Sequence, residues 1–408
     1  MPFSPDAGVL LIQITGPDRP GLTHALTGIL AEHGVRILDI GQAVIHNALT
    51  LGILVELDES VRSSPMLAQL LLKAHEWDVH VHFTASSPEE YAAWVAGGQS
   101  KQRSIVTVLG PAILGEHLAA VSAVIAGQEL NIERIERLSG RPALETNTGS
   151  RACIEFTVSG QPCAEAEMRA AFMRLTHEHE IDIAFQRDDL YRRNRRLVVF
   201  DMDSTLIQME VIDELAKEAG VGERVARITA AAMRGELDFP SAFRERVRLL
   251  KGLPVEALER VAARIPMMDG AERLIATLRA LGYKTGILSG GFSYFGERLR
   301  QRLSIDYLYA NELEIRDGAV TGEVSSEIVD GQVKARRLRE IAEREGIGLE
   351  QCIAVGDGAN DLPMIGLAGL GIAFHAKPVV KQNARQSLST IGLDGILYLI
   401  GIRDRETG

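Results

Sequence analysis

Gly16, Pro17 and Gly21 recur as Gly110, Pro111 and Gly115, each 94 positions further along the 408-residue chain. In both places an apolar run leads into the first glycine: Val9–Thr15 (VLLIQIT) and Ile105–Leu109 (IVTVL). In both a helical pattern follows the turn, from Leu22 to Glu32 and from Glu116 to Ala126. The two stretches then continue alike. Strand patterns at Val35–Ile45 and Leu49–Leu57, a helix near Pro65–Glu76 and a strand near Val79–Phe83 are answered by Leu130–Leu138, Ala152–Val158, Ala164–His177 and Ile181–Phe185. A period this long exceeds that of stacked solenoid repeats and implies two tandem small domains. Strand–helix–strand–strand–helix–strand order predicts a ferredoxin-like α+β fold, a four-stranded antiparallel sheet with two helices on one face.

Pro88, Gly97 and Gly98 mark Ser86–Arg103 as a connector. The expected division is therefore a first domain over 1–90, a linker over 91–103 and a second domain over 104–187. The loop 139–150 (SGRPALETNTGS) reads as an exposed turn. Arg192, Arg193, Arg195 and Arg196 read as a solvated domain junction, with an anion site as the alternative. A formal net charge of −11 opposes nonspecific binding to nucleic acid or anionic membranes. An anionic substrate would have to be drawn in by local cations. Cys153, Cys163 and Cys352 have neither metal-site spacing nor the density of a disulfide scaffold. The opening MPFSPDAG lacks the regions of a secretory leader, and GILYLIGI near the other end is too short to span a bilayer. The expectation is a cytoplasmic chain without a membrane or nucleic-acid partner.

From Leu197 the pattern changes. LVVF, TGIL and CIAVG are short apolar runs separated by amphipathic helical segments, which implies βαβ units and a parallel sheet over 188–408. Sites in such sheets form at the carboxyl ends of the strands. The residues there are Asp201, Ser289 and Asp357.

These residue types suit phosphoryl transfer, which needs a nucleophile, a proton donor and cations. Asp201, first in DMDSTLI, is the candidate nucleophile, since a carboxylate is already ionised at neutral pH. Asp203 is placed to protonate the leaving alkoxide and then to accept a proton from water. Carboxylates facing a phosphate demand a divalent cation, for which Mg²⁺ and oxygen ligands are matched. Asp357 and Asp361 in VGDGANDLPM supply further carboxylates, with Gly356 and Gly358 allowing close backbone approach. Ser289 in LSGG offers a hydroxyl and backbone N–H groups, and Lys334 a point charge. Taken singly, DGAND also reads as a surface turn, Ser-Gly-Gly as a tight turn and Lys334 as one lysine among many.

Taken together, the stretches resemble the haloacid dehalogenase superfamily, whose motifs run Asp-x-Asp with a following Thr, a strand-ending Ser or Thr, a Lys, and paired Asp. Here they are Asp201-Met202-Asp203-Ser204-Thr205, Ser289, Lys334, and Asp357 with Asp361, and the likeness covers Arg196–Gly408. DMDSTLIQMEVIDELA is similar to the phosphoserine phosphatase family within it. That resemblance implies a Rossmann-like domain with a small helical cap at about 209–265 and hydrolysis of phosphoserine through an aspartyl-phosphate, the last step of serine biosynthesis. It implies Mg²⁺ on Asp201, the Asp203 carbonyl and Asp357, with Asp361 supporting the metal shell. It implies that Ser289, Gly290 and Lys334 hold the phosphate and that Asn360 lies beside substrate. In the cap, Glu210 would take the substrate ammonium and Arg246 its carboxylate, with Met233 and Phe239 as apolar walls. On charge pattern alone, Arg244, Arg246 and Arg248 read as a solvated helix face.

The N-terminal repeat resembles tandem ACT domains, modules that bind amino acids and regulate enzymes. Gly16-Pro17-Asp18-Arg19-Pro20-Gly21 matches their loop better than Gly110–Gly115, which lacks the Asp-Arg-Pro core. The expectation is that L-serine binds near Gly16, Asp18 and Gly110 at an interface between ACT units of a homodimer. The competing readings are a phosphatase for another small phosphomonoester and an amino-acid-sensing regulator with weak catalysis. Dehalogenase chemistry has no need of Asp203, and a P-type ATPase needs membrane helices.

Overall fold

The structure, a computed structural model, describes residues 8–59, 61, 64–99, 101–141, 151–234, 236–325 and 327–406, with only the main chain of Gln99 and Met233. Most of the expected loop 139–150, from residue 142 on, lies outside them. The chain forms two compact units, Met1–Lys101 and Gln102–Gly408. Among the described residues no helix is long and apolar enough to cross a membrane.

The first unit contains β1 (Val9–Pro17), α1 (Leu22–Glu32), β2 (Ile37–Ile45), β3 (Ala48–Glu56), α2 (Met66–Glu76) and β4 (His80–Ser86). The antiparallel sheet runs β2-β3-β1-β4, as the element order predicts. Period-two alternation turns Leu49, Leu51, Ile53 and Val55 of β3 inward against Leu22, Leu26 and Leu30 of α1 and Met66 and Leu70 of α2. Truncating a fully buried leucine here, such as Leu51→Ala, costs about 2–5 kcal/mol. Gly16 has a packing reason of its own. A Cβ there would lie 2.7 Å from Val79 Cγ1, and one at Gly110 would lie 3.2 Å from Ile181 Cγ2.

The connector expected over 91–103 is largely helical, since α3 spans Pro88–Gln99. Its start carries a reciprocal cap: Ser87 N–H donates to Glu90 Oε2 at 3.0 Å and Glu90 N–H to Ser87 Oγ at 3.2 Å. Pro88 at the first helical position reinforces the start rather than breaking it.

In the second unit, β5 (Arg103–Gly110), α4 (Gly115–Gly127), β6 (Asn131–Arg137), β7 (Ala152–Ser159), α5 (Glu165–His179) and β8 (Asp182–Arg187) repeat the first fold with sheet order β6-β7-β5-β8. A six-stranded parallel sheet follows, built on β9 (Leu197–Phe200), β10 (Lys284–Phe292), β11 (Tyr307–Asn311), β14 (Cys352–Gly356), β15 (Leu370–Phe374) and β16 (Gln386–Leu388), in the order β11-β10-β9-β14-β15-β16. A separate antiparallel pair is formed by β12 (Leu313–Arg316) and β13 (Ala319–Val324). Strands β9 and β14 are buried along their whole length, as expected of a sheet covered on both faces.

The second repeat is joined to the parallel sheet edge to edge. Gln386 of β16 accepts from Phe185 N–H (3.0 Å) and donates to Phe185 O (2.6 Å). The fully buried Asp182 carboxylate accepts from Ser389 N–H (2.8 Å), Thr390 N–H (2.8 Å) and the Thr390 hydroxyl (2.7 Å). Leu109, Leu138, Cys153 and Ala184 of the repeat share one apolar core with the parallel sheet. Only half of the arginine cluster is the solvated junction its charge suggests, Arg193 and Arg196 being exposed. Arg192, 1% exposed, pairs with buried Glu155, and Arg195, 8% exposed, donates to the Glu350 carbonyl. A partner 37 residues upstream is invisible to a local reading.

Between Ile207 and Met267, whose antiparallel bridge closes the neck, the described residues form four helices: α6 (Val211–Glu218), α7 (Gly222–Met233), α8 (Phe239–Arg248) and α9 (Val255–Ala263).

Candidate active site

Strand β9 has β10 on one side and β14 on the other, with Phe200 level with Ile287 and Val355. The next residues outward are therefore Asp201, the Leu288–Ser289 segment and Gly356–Asp357. Beyond Asp201 the chain turns sharply: Thr205, Leu206 and Ile207 all direct N–H groups at the Met202 carbonyl, and Ser204 adopts φ 57°. This turn brings Asp203 back beside Asp201.

Carboxylate oxygens of Asp201, Asp357 and Asp361 lie within 4.8 Å of one another, and all three side chains are buried. Lys334, fully buried in α10 (Gly331–Glu345), donates to Asp201 Oδ1 at 2.8 Å and to Asp361 Oδ1 at 2.6 Å. Burial pulls its pKa down, but the two carboxylates outweigh burial and raise it. Asp361 Oδ2 accepts from Gly358 N–H at 2.9 Å, so both its oxygens are engaged. A Cβ at Gly356 would lie 2.4 Å from that carboxylate, which makes glycine obligatory there. Thr205 donates to Asp357 Oδ1 at 3.2 Å, a contact the sequence did not assign. Burial, and then Asp201, Asp361 and Glu210, push Asp357 up to about 8. Three acids against one ammonium leave an excess of negative charge. The donor set is all oxygen and suits a hard divalent cation.

Asp203 has a pKa raised well above the usual carboxylate range, by burial first and then by Glu210 and Asp201. A carboxyl group that keeps its proton near neutrality can donate it. Ser289 is fully buried, and its Oγ accepts from Gly291 N–H at 2.8 Å. A Cβ at Gly290 would meet Phe239 at 3.0 Å, and one at Gly291 would meet Asp203 Oδ2 at 2.6 Å. Asn311, which no sequence motif singled out, fixes this turn: it donates to Gly290 O (2.7 Å) and accepts from Val329 N–H (2.9 Å).

A cavity of about 700 Å³ separates these strand ends from the cap, and Asp201, Asp203, Glu210, Phe239, Arg246, Ser289, Gly290, Asp357 and Asn360 all line it. Lys334 has no exposed surface and stands behind Asp201. Helix α8 starts on an Asp238 cap and turns only Arg246 of its three arginines away from solvent. Arg246 has no carboxylate within ion-pair distance among the described residues, and its donors reach only Ala242 O (3.4 Å) and Thr229 Oγ1 (3.5 Å). Burial lowers its pKa, but a guanidinium stays charged. Glu210 accepts from Ser204 Oγ at 2.9 Å. Solvent reaches one side of Glu210; protein encloses the other and raises its pKa. The Met233 side chain lies outside the described residues. Lys377 and Asp213 also line the cavity, and no sequence motif pointed to them.

Of the residues assigned to regulation, Asp18 follows β1 and donates its N–H to Asn47 O at 2.7 Å. The second loop differs in its cap: Leu114 N–H donates to His117 Nδ1 at 3.1 Å. This leaves the His117 proton on Nε2, facing Glu116 Oε1 at 3.8 Å with His179 close by. Glu116, His117 and His179 thus gather at the start of α4, where His117 caps the helix.

Family models match along the chain: an ACT domain at residues 8–84, a second ACT domain at 103–186 and a haloacid dehalogenase-like hydrolase at 198–366. Phosphoserine phosphatase of Streptomyces coelicolor is 42% identical over 407 residues, covering 98% of this chain and 94% of that protein. Phosphoserine phosphatase SerB2 of Mycobacterium tuberculosis is 41% identical, covering 97% of this chain and 94% of that one. Among solved structures, a haloacid dehalogenase family hydrolase of Salmonella enterica serovar Typhi superposes with a TM-score of 0.63 at 32% identity, over 73% of this chain and 98% of that chain. A probable phosphoserine phosphatase of Vibrio cholerae gives 0.57 at 35% identity, over 72% and 86%.

Proposed function

The chain belongs to the phosphoserine phosphatase family of haloacid dehalogenase-like hydrolases, and we propose on that footing that it hydrolyses O-phospho-L-serine to L-serine and phosphate, the last step of serine biosynthesis. The observation that carries the reading is the meeting of Asp201, Asp357 and Lys334 at adjacent strand ends, beneath a cap that presents Arg246.

An Asp201 oxygen attacks phosphorus in line, and the bond from phosphorus to the serine oxygen breaks. Asp203 gives its proton to the leaving alkoxide. The resulting carboxylate takes a proton from water as the water oxygen attacks the aspartyl-phosphate, which returns Asp201 and releases phosphate. Asp201, the Asp203 carbonyl and Asp357 would hold a divalent cation, Mg²⁺ in this reading, with Asp361 as support. The cation would neutralise charge on the transferring group. Ser289, Gly290 and Lys334 hold the phosphoryl oxygens, with Asn360 beside them. Arg246 takes the substrate carboxylate and Glu210 its ammonium, against the apolar wall of Phe239.

The test is phosphate release from a panel of small esters with Mg²⁺. Arg246→Ala should lower kcat/KM for phosphoserine about 10–100-fold, the worth of a charged hydrogen bond, and leave an aryl phosphate nearly unaffected. Equal losses on both substrates would remove phosphoserine from the reading. Full activity after exhaustive chelation would remove the cation.

The ACT pair supports a regulatory reading in which L-serine binds near Gly16, Asp18 and Gly110 of a cytoplasmic homodimer. Added serine should change the rate of the wild-type enzyme and not that of Asp18→Ala. Sedimentation of the free enzyme as a monomer would overturn the dimer.

A further inference from the structure

A second cavity, of about 680 Å³, opens at the opposite, amino-terminal end of the parallel sheet. Its wall includes Arg193, Arg195 and Arg196, immediately before β9, together with Tyr283 before β10, and Arg403. In a chain of net charge −11, such a concentration of cations is a local exception. Elsewhere, buried arginine is balanced, as Arg192 is by Glu155. Among the described residues, none of Arg193, Arg195 and Arg196 has a carboxylate within ion-pair distance. Arg195 is more than nine-tenths buried and its Nε has no hydrogen-bond partner. Arg403 is shared with Glu136 at 2.7 Å, and Glu406, an acid in the wall, accepts from Arg403 N–H at 2.9 Å. A guanidinium cannot relieve its burial by losing a proton. Asp189 acts on Arg195 only from beyond ion-pair distance, and three guanidinium groups around one cavity with no carboxylate in contact repel one another unless an anion stands between them.

We propose that this cavity is a binding site for a phosphate-bearing polyanion, separate from the catalytic cavity and at the other end of the same strands. Guanidinium groups match the geometry of phosphate oxygens through paired N–H donors, and Tyr283 adds a ring and a hydroxyl. The volume admits more than a single inorganic phosphate, so the ligand is either a condensed phosphate or a small organic one. The site does not depend on which ester the catalytic cavity hydrolyses.

Calorimetric titration of the full chain in cation-free buffer tests the site, with inorganic pyrophosphate in one arm and adenosine triphosphate in the other. The comparison is with Arg193→Gln/Arg196→Gln, two exposed positions whose replacement should leave phosphoserine hydrolysis and the melting temperature unchanged. Wild type should bind pyrophosphate at one site beyond the catalytic one, and the double variant should bind there at least tenfold more weakly. Tighter binding of the nucleotide assigns the ligand to the organic class, and tighter binding of pyrophosphate to the condensed class. If the double variant melts early, Arg196→Gln alone serves, with the same weakening expected. Identical isotherms for wild type and a folded variant, or no binding beyond the catalytic site in wild type, would overturn the proposal.

Discussion

Asp182 and the trio Asp201, Asp357 and Asp361 are all carboxylates buried in the second unit, yet their surroundings are opposite. Asp182 receives two backbone N–H groups and a hydroxyl, all from Ser389 and Thr390. Its hydrogen-bond capacity is filled by the chain itself, and it serves as a fastener. In the trio, Lys334 reaches two of the three acids, Thr205 the third, and one Asp201 oxygen faces no donor among the described residues. What separates a structural acid from a reactive one is therefore not burial, since both are buried. It is whether the donors are already present or must arrive with cation and substrate.

That contrast breaks most visibly at Asp201. Asp201→Asn should cut phosphate release from phosphoserine by at least about 10³-fold while leaving the melting curve near wild type. A variant that retained a tenth of the activity would show that Asp201 is not the attacking group. Asp182→Ala should do the reverse. With three donors stranded, unfolding of the second unit in urea should become easier by about 3 kcal/mol, while kcat of the folded enzyme stays within a few-fold. A stability change below the error of the urea curve would mean that water replaces the carboxylate without loss.

A smaller effect sharpens the same contrast through pH. The folded-state pKa of Asp357, about 8 without a cation, lies above the unfolded value of about 4. The folded protein then holds a proton that the unfolded chain has released. The stability it contributes is complete below pH ~4 and fades as pH rises through 8. Melting temperatures in chelator should fall between pH 5 and pH 8.5, and saturating Mg²⁺ should flatten that slope, because the ion favours the ionised acids. A slope indifferent to Mg²⁺ would place the ion elsewhere.

Much of this was legible in the sequence. The repeat set both antiparallel sheets with element ends within two or three residues, and the polar residues closing LVVF, TGIL and CIAVG marked where the site would form. What escaped depends on partners distant in sequence or on rules read in the wrong order. Asn311 reaches Gly290 across 21 residues, and Asp182 meets Thr390 across 208. The burial of Arg192 rests on Glu155, so it and Arg195 looked as wet as their exposed neighbours Arg193 and Arg196. At Pro88 the signal was local but misweighed: the proline and two glycines suggested a connector, whereas Ser87 and Glu90 spell a helix start.

The seam between β8 and β16 decides where this polypeptide can be cut. A catalytic fragment begun at residue 188 would leave the Gln386 amide and the Ser389 and Thr390 N–H groups on a bare rim, and would lose Leu109, Leu138, Cys153 and Ala184 from a core it cannot refill. One begun at Gln102 keeps that margin sealed. By that measure the second ACT module is less an attachment to the enzyme than its outer wall.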